Sequence, residues 1–257
     1  MKIDLHIKEL DSMKKYPKEI FYKGDLDLLS KVKVSIIGTR KPSKYSREIT
    51  HQLSSTLTKH GVVVVSGGAM GIDATAHKGA TSSNTICVLP TGINILYPKV
   101  NKSLLEDIQK KGLVLSQFDD NFKATPWSFV VRNELVVALG DVLIVVEAEL
   151  DSGSMRSIEF AMKMKKEIYV IPQRLNESSA TQKLLKDSKA KAIYNIEDFC
   201  KRFGTKEPII SNSNDDFLEF CKMRPTYDEA LKKFPQRVFE AELSGEIEIT
   251  NGLVITK

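Results

Sequence analysis

The sequence predicts an α/β protein, a Rossmann-like doubly wound and mainly parallel sheet followed by a small winged-helix-like C-terminal domain. Between residues 32 and 172, short runs of β-branched residues alternate with longer amphipathic segments. The short runs are apolar at successive positions, which is typical of strands buried on both faces of a sheet. Strands separated by helical segments form a parallel sheet covered by helices on each side.

Six strands and two long helices are predicted in this region. The strands are VKVSIIG (32–38), VVVVSGG (62–68), TICVLP (85–90), LVLSQ (113–117), VLIVVEA (142–148) and EIYVIP (167–172). The segments SREITHQLSSTLTKH (46–60) and GSMRSIEFAMKMKK (153–166) have apolar residues at spacings of three and four, which indicates helices. A Rossmann-like domain with a short N-terminal extension is therefore predicted for residues 1–203.

The C-terminal part of the chain predicts a separate small domain. The polar segment GTKEPIISNSNDD (204–216) is rich in Gly, Pro, Ser and Asn, as linkers are. Within residues 217–257, FLEFC, TYDEALKKF and RVFEAEL predict three helices, and EIEITNGLVIT predicts a hairpin that turns at Asn251-Gly252. Three helices and a hairpin in this order resemble a winged helix.

Charge is unevenly distributed along the chain, whose formal net charge is +5. Residues 1–204 carry 31 Lys and Arg against 23 Asp and Glu, a net of +8. The remaining residues carry 7 against 10, a net of −3. This asymmetry favours an anionic partner for the main body. A lysine-rich solvated surface is the alternative interpretation.

Composition also excludes several classes of protein. No apolar run approaches the ~20 residues that cross a bilayer, and the N-terminus MKIDLHIKELDSMKK lacks the apolar stretch of a signal peptide. Cys87, Cys200 and Cys221 lie far apart without a C-x-x-C pair, which indicates neither a disulfide framework nor a zinc site. We expect a cytoplasmic protein with no membrane association, metal or cofactor.

Small residues and cations follow the predicted strands, at the edge where doubly wound folds bind ligands. Gly38 and Thr39 turn the chain after the first strand; Gly38 lets the backbone approach a phosphate without a Cβ in the way. Arg40 can clamp two phosphate oxygens, and Lys41 adds a point charge. Two further groups of hydrogen-bond donors follow other strands: Ser66, Gly67 and Gly68, and then Gly153, Ser154 and Arg156.

Two nucleotide-binding classes lack their signatures, and a third stays open. A dinucleotide-binding fold needs G-x-G-x-x-G after the first strand and an acidic residue closing the second, whereas a P-loop needs G-x-x-x-x-G-K-[ST]; neither occurs. The segments SGGAMGID and SGSMRSIEF loosely resemble the glycine-rich loops of Rossmann-fold nucleotide phosphoribohydrolases, also called lysine decarboxylase-like proteins. In that reading Glu159 is the candidate catalytic carboxylate, although a solvated helix residue is the simpler interpretation.

Five ordered motifs point to a different family. IIGTRKPSKYS, VVSGGAMGIDATAHKGA, VLPTGINILYP, FVVRNELVVAL and VVEAELDSGSMRSIEFA occur in this order, preceded by YPKEIFYKGD. Over roughly residues 16–200 the chain resembles the DprA/Smf family of DNA-processing proteins. The resemblance implies a non-catalytic protein that binds single-stranded DNA during natural transformation, protects incoming strands, passes them to the RecA recombinase and works as a homodimer.

Single-strand binders combine a cationic groove for the backbone with aromatic faces for the bases. In TPWSFVVRNE we choose Phe129 for stacking on a base, with Trp127 second; burial of Phe129 in the core is the alternative. Arg132 and Asn133 either contact a phosphate or base edge, or brace the rim by bonding to carbonyls. The chain departs from the family's usual pattern at Met70, where a basic residue is common, and at Glu134, where an arginine is frequent.

Overall fold

The computed structural model describes residues 1–204, 216–250 and 252–256, without the side chains of Asp216, Glu219 and Lys222. The chain divides into two compact units, Met1–Lys206 and Glu207–Lys257. Most of the predicted linker, residues 205–215, lies outside the described residues, as does Asn251 of the predicted turn.

The first unit is built on an eight-stranded sheet with strand order β1-β5-β4-β3-β2-β6-β7-β8. The strands are β1 Phe21–Gly24, β2 Lys33–Ile37, β3 Val63–Ser66, β4 Thr85–Val88, β5 Leu113–Ser116, β6 Val142–Val145, β7 Ile168–Val170 and β8 Lys191–Ala192. β1 is antiparallel to β5, and the other neighbours are parallel. The chain order reverses at β2, which lies between β3 and β6 as in a doubly wound fold.

Helices connect the parallel strands. They are α1 Lys44–Lys59, α2 Ile72–Ala80, α3 Lys102–Lys111, α4 Pro126–Leu139, α5 Ser154–Lys163, α6 Ser179–Lys186 and α7 Ile196–Cys200. Short 3₁₀ helices lie at Lys8–Ser12, Leu26–Ser30 and Lys99–Asn101. The six predicted strands and both predicted long helices are confirmed. The two edge strands β1 and β8 were not predicted.

Apolar cores cover both faces of the sheet, because successive side chains of each strand point to opposite faces. In β3, Val63 and Val65 pack in the core that contains Leu135 of α4. Val64 packs in the other core, with Leu53 of α1. All these side chains are fully buried, and burying each one contributes about 1.5–3 kcal/mol. The helices are thereby fixed on the sheet, and their N-terminal ends lie at its carboxyl edge.

The second unit contains α8 Asp216–Lys222, α9 Tyr227–Lys233 and α10 Pro235–Ser244, followed by an antiparallel pair, β9 Ile247–Thr250 and β10 Leu253–Thr256. Its own small core includes Phe217, Val238 and Val254. The predicted helices and hairpin are present, while the assignment as a winged helix stays a prediction.

None of the helices in the described ranges is long and apolar enough to cross a membrane. In the same part of the chain, no group of three or more His, Cys, Asp or Glu side chains could hold a metal ion.

Candidate nucleic-acid interface

The turn after β2 forms the base of the candidate site. Gly38 packs so closely on α2 that a Cβ there would lie 2.6 Å from Cγ1 of Ile72. The Thr39 amide donates to the Glu147 carbonyl at 2.8 Å, and the Ile72 amide donates to the Thr39 carbonyl at 3.1 Å. The turn is therefore fixed between β6 and the start of α2, and it presents Arg40 and Lys41 to solvent.

The loop after β3 is held from below. Ser66 is fully buried, and its hydroxyl donates to the Ile36 carbonyl at 2.7 Å. A Cβ on Gly67 would lie 1.5 Å from Nη1 of Arg132, and Gly68 has a φ of +70°. Glycine at these two positions lets the loop close over the arginine. The Ser66 hydroxyl is thus engaged inside the protein.

A buried ion pair lies beneath this loop. The Arg132 side chain is 5% exposed, with Nη1 3.9 Å from Oδ2 of Asp73 and donating to the Val88 carbonyl at 3.3 Å. Asp73 accepts a hydrogen bond from the Ala69 amide at 3.3 Å. Burial raises the pKa of Asp73, against the lowering effect of Arg132, and burial lowers the pKa of Arg132, against the charge of Asp73. The pair stabilises the loop from inside.

These elements enclose a cleft of about 640 Å³ at the carboxyl ends of β2 and β6. Ten of the thirteen predicted site residues line it: Gly38, Thr39, Arg40, Lys41, Phe129, Arg132, Asn133, Gly153, Ser154 and Arg156. Gly67 lines a smaller pocket that adjoins the cleft. Ser66 and Gly68 belong to the loop that supports both. The structure therefore brings the predicted residues together, while their contacts with DNA stay predictions.

Exposed cations and an open helix terminus mark one side of the cleft. Among the described residues, no side chain caps the N-terminus of α5 at Gly153, and a Cβ on Gly153 would meet none of their atoms within 4 Å. Arg156, in the first turn, is exposed, and its Nη1 donates to Oε2 of Glu159 at 3.0 Å. The positive end of the α5 dipole and Arg156 together favour an anion at this wall. The Glu159 carboxylate is engaged by that same arginine.

Aromatic rings lie where the cleft adjoins the smaller pocket. Phe129 is half-buried, and Cζ of Arg40 lies 5.5 Å from its ring centroid, within the range of a cation–π contact. The ring of Tyr97 meets Phe129 edge to face, with centroids 5.7 Å apart. Phe129 is thus neither a fully buried core residue nor free on all sides. The guanidinium and two rings form one contiguous surface.

The smaller pocket contains residues that were not predicted as site residues. Tyr97, Met70, Pro90 and Pro98 line it, together with Arg40 and Phe129. Tyr97 is 41% exposed and Met70 is 47% exposed. Tyr97 and Pro98 lie in the motif VLPTGINILYP, so the resemblance gave a signal, but no strand end marks them. Met70, the first of the two departures noted in the sequence, gives the pocket an apolar edge.

The second departure, Glu134, does not line the cleft. Its Oε1 accepts a hydrogen bond from the Lys14 amide at 3.1 Å. It therefore ties α4 to the N-terminal segment.

Comparisons with known proteins agree on one family. The model of the DNA recombination-mediator protein A family matches residues 4–204. The chain is similar to the DNA processing proteins DprA of Bacillus subtilis (34% identical; 71% of this chain, 63% of that one) and Streptococcus pneumoniae (37%; 61% and 56%). The matches thus span about three fifths of those relatives' length. The chain is also similar to a solved structure of DNA processing protein A from Helicobacter pylori, which is described as having a unique single-stranded DNA binding mode. The TM-score is 0.77 and the identity 41%, over 79% of this chain and 94% of that one.

Proposed function

The chain belongs to the DNA recombination-mediator protein A family, and from this premise we propose that it binds single-stranded DNA in the cleft during natural transformation and recombination. The observation that carries the proposal is the composition of the cleft. Backbone turns, cations and an aromatic ring line one recess, which is the combination that single-strand binders use.

Phosphates are bound in this proposal by the turn after β2 and the start of α5. Arg40 and Lys41 are exposed on the first, and Arg156 on the second. Arginine forms paired hydrogen bonds with phosphate oxygens, and a helix N-terminus attracts anions. Because these groups contact the backbone, binding depends little on base sequence and weakens as salt is added.

Bases are bound by the aromatic side of the cleft. The ring of Phe129, with Arg40 against it, offers a surface on which a base can stack. Tyr97 extends this surface into the smaller pocket. A flexible single strand can place an unpaired base there, whereas a duplex keeps its bases stacked inside. The recess therefore favours single strands over duplex DNA.

The buried ion pair supports the site from below. Arg132 touches the cleft wall but is 4% exposed, and we assign to it the positioning of the Ser66–Ala69 loop. Asn133 lies one residue further along α4, half-buried in the cleft wall. In this assignment the exposed cations Arg40, Lys41 and Arg156 bind phosphate directly, and Arg132 does not.

Two partners follow from the family resemblance, and we propose both: a second copy of the chain, as a homodimer, and the RecA recombinase, which receives the strand. Sedimentation equilibrium tests the first partner. Loading of purified RecA onto DNA covered by a single-strand binding protein tests the second. In this proposal the protein mediates recombination by binding DNA and does not catalyse a reaction.

A titration at several salt concentrations tests the proposed function. The ligands are a 20-nucleotide single strand, the same sequence as a duplex, and a nucleoside monophosphate. We expect salt-sensitive binding of the single strand and at least tenfold weaker binding of the other two. Equal affinity for the duplex would refute the preference for single strands. Hydrolysis of the monophosphate would instead favour a phosphoribohydrolase.

A further inference from the structure

We propose that the indole of Trp127 is a second base-binding site, on which a nucleobase of the strand stacks after it leaves the cleft. The inference rests on the proposed function and extends the path of the strand. Trp127 is 54% exposed, so much of a large apolar ring faces water. A tryptophan side chain that is fixed and half in water is a suitable stacking surface for any base.

The indole is held in place from beneath. Its ring meets Phe118 at 5.5 Å and 79°, and Phe122 at 5.7 Å and 66°. Those two phenylalanine rings stack on each other at 4.6 Å, and Phe118 is buried. Because the indole is already ordered by these contacts, a base that stacks on it loses little additional side-chain entropy.

Trp127 lies directly beside the cleft. Pro126, Phe129, Val130 and Asn133 of α4 line the cleft. Successive residues of an α-helix are about 100° apart around its axis. Trp127 is therefore turned away from the cleft-lining face, onto the flank of α4 that meets the loop after β5.

The order of the sheet makes the path continuous. The cleft lies at the ends of β6 and β2, with the loop after β3 beside it. Pro90 and Tyr97 of the smaller pocket follow β4, and Phe118 follows β5. Neighbouring strands thus place the cleft, the pocket and Trp127 in one row along the carboxyl edge.

Charge indicates that stacking supplies the affinity at Trp127. Asp119 and Asp120 are exposed in the same loop, and Lys123 is an exposed cation between them and Trp127. Two carboxylates and one ammonium give no net attraction for a phosphate. Loss of the indole should therefore weaken binding without changing the number of phosphate contacts.

The test uses the full chain and a 20-nucleotide oligothymidylate, with Trp127→Leu, Trp127→Phe and Phe239→Leu. Phe239 of α10 is the matched control, because its exposure of 52% is close to the 54% of Trp127 but it lies in the second unit. We expect Trp127→Leu to bind about 5- to 150-fold more weakly with an unchanged salt slope, Trp127→Phe to lie between, and Phe239→Leu to match wild type.

The fluorescence of the wild type gives a second readout, since Trp127 is the single tryptophan of the sequence. We expect the oligothymidylate to quench it. Wild-type affinity in folded Trp127→Leu, a reduced salt slope in that variant, or no quenching would each overturn the inference and leave the proposed function standing. If the wild type does not bind the oligothymidylate, the proposed function itself is wrong.

Discussion

Replacing Arg132 by methionine should destabilise the first unit strongly. The substitution keeps much of the side-chain length but leaves the Asp73 carboxylate, whose side chain is 10% exposed, without its cation at 3.9 Å. Removing one partner of a buried ion pair costs about 3–5 kcal/mol, because the remaining charge is not compensated. We therefore expect the free energy of unfolding to fall by that amount at pH 7.

The double variant Arg132→Met/Asp73→Asn should recover most of this loss. Asparagine retains an oxygen that can accept from the Ala69 amide, and no uncompensated charge remains. Arg156→Met is the matched control, because Arg156 pairs with Glu159 in the open, with side chains 62% and 40% exposed. Surface pairs of this kind contribute about 1 kcal/mol or less.

Urea unfolding followed by the fluorescence of Trp127 measures these changes in the first unit alone, since the sequence contains one tryptophan. Circular dichroism provides a second probe. A loss below about 1 kcal/mol in Arg132→Met, or a double variant no more stable than the single one, would refute the claim that this pair supports the cleft.

Three further predictions concern the cleft and the core. Arg40→Ala should weaken binding of all single strands alike and flatten the log–log salt slope by about 0.7, and Arg40→Lys should restore only part of the affinity; an unchanged slope would remove Arg40 from the site. Phe129→Ala should reduce DNA affinity by about 1–3 kcal/mol through lost stacking; lower thermal stability with unchanged affinity would make Phe129 a core residue instead. Burial, with a smaller effect of Arg132, lowers the pKa of His77 from 6.5 to about 3. Between these two pH values, His77 is therefore more often protonated in the unfolded chain than in the folded one. Its contribution to the free energy of unfolding is thus fully present above pH 6.5 and is lost as the pH falls towards about 3. His77→Gln should flatten this acid limb in urea titrations, and an unaltered limb would contradict the assignment.

The interior of the sheet could be predicted from sequence because its strands are buried on both faces. Val34 and Ile36 in β2, and Val64 in β3, belong to apolar runs that are typical of buried strands and not of exposed ones. β1 escaped prediction because its residues Phe21–Gly24 are half-exposed and pair with β5, about ninety positions away. β8 has only two residues. Neither strand carries a local signal.

Site residues could be predicted from sequence where glycines or cations come directly after a predicted strand. Gly38, Arg40 and Lys41 are examples, since strand ends meet at one edge of a parallel sheet. The burial of Arg132 was not predictable, because it depends on how α4 packs against Gly67, which lies 65 positions earlier in the chain. The contact between Tyr97 and Phe129 likewise arises from tertiary packing of two segments that have no shared pattern.

Photocrosslinking tests most directly the central claim, that the strand lies along the carboxyl edge of the sheet. Oligothymidylates that carry 5-iododeoxyuridine at single positions are bound to the full chain, irradiated and mapped by mass spectrometry. We predict crosslinks to the aromatic residues of the cleft and its margin, Phe129, Tyr97 and Trp127, and their loss when unlabelled oligothymidylate competes. Crosslinks confined to the second unit, Glu207–Lys257, or to the opposite edge of the sheet would contradict the account.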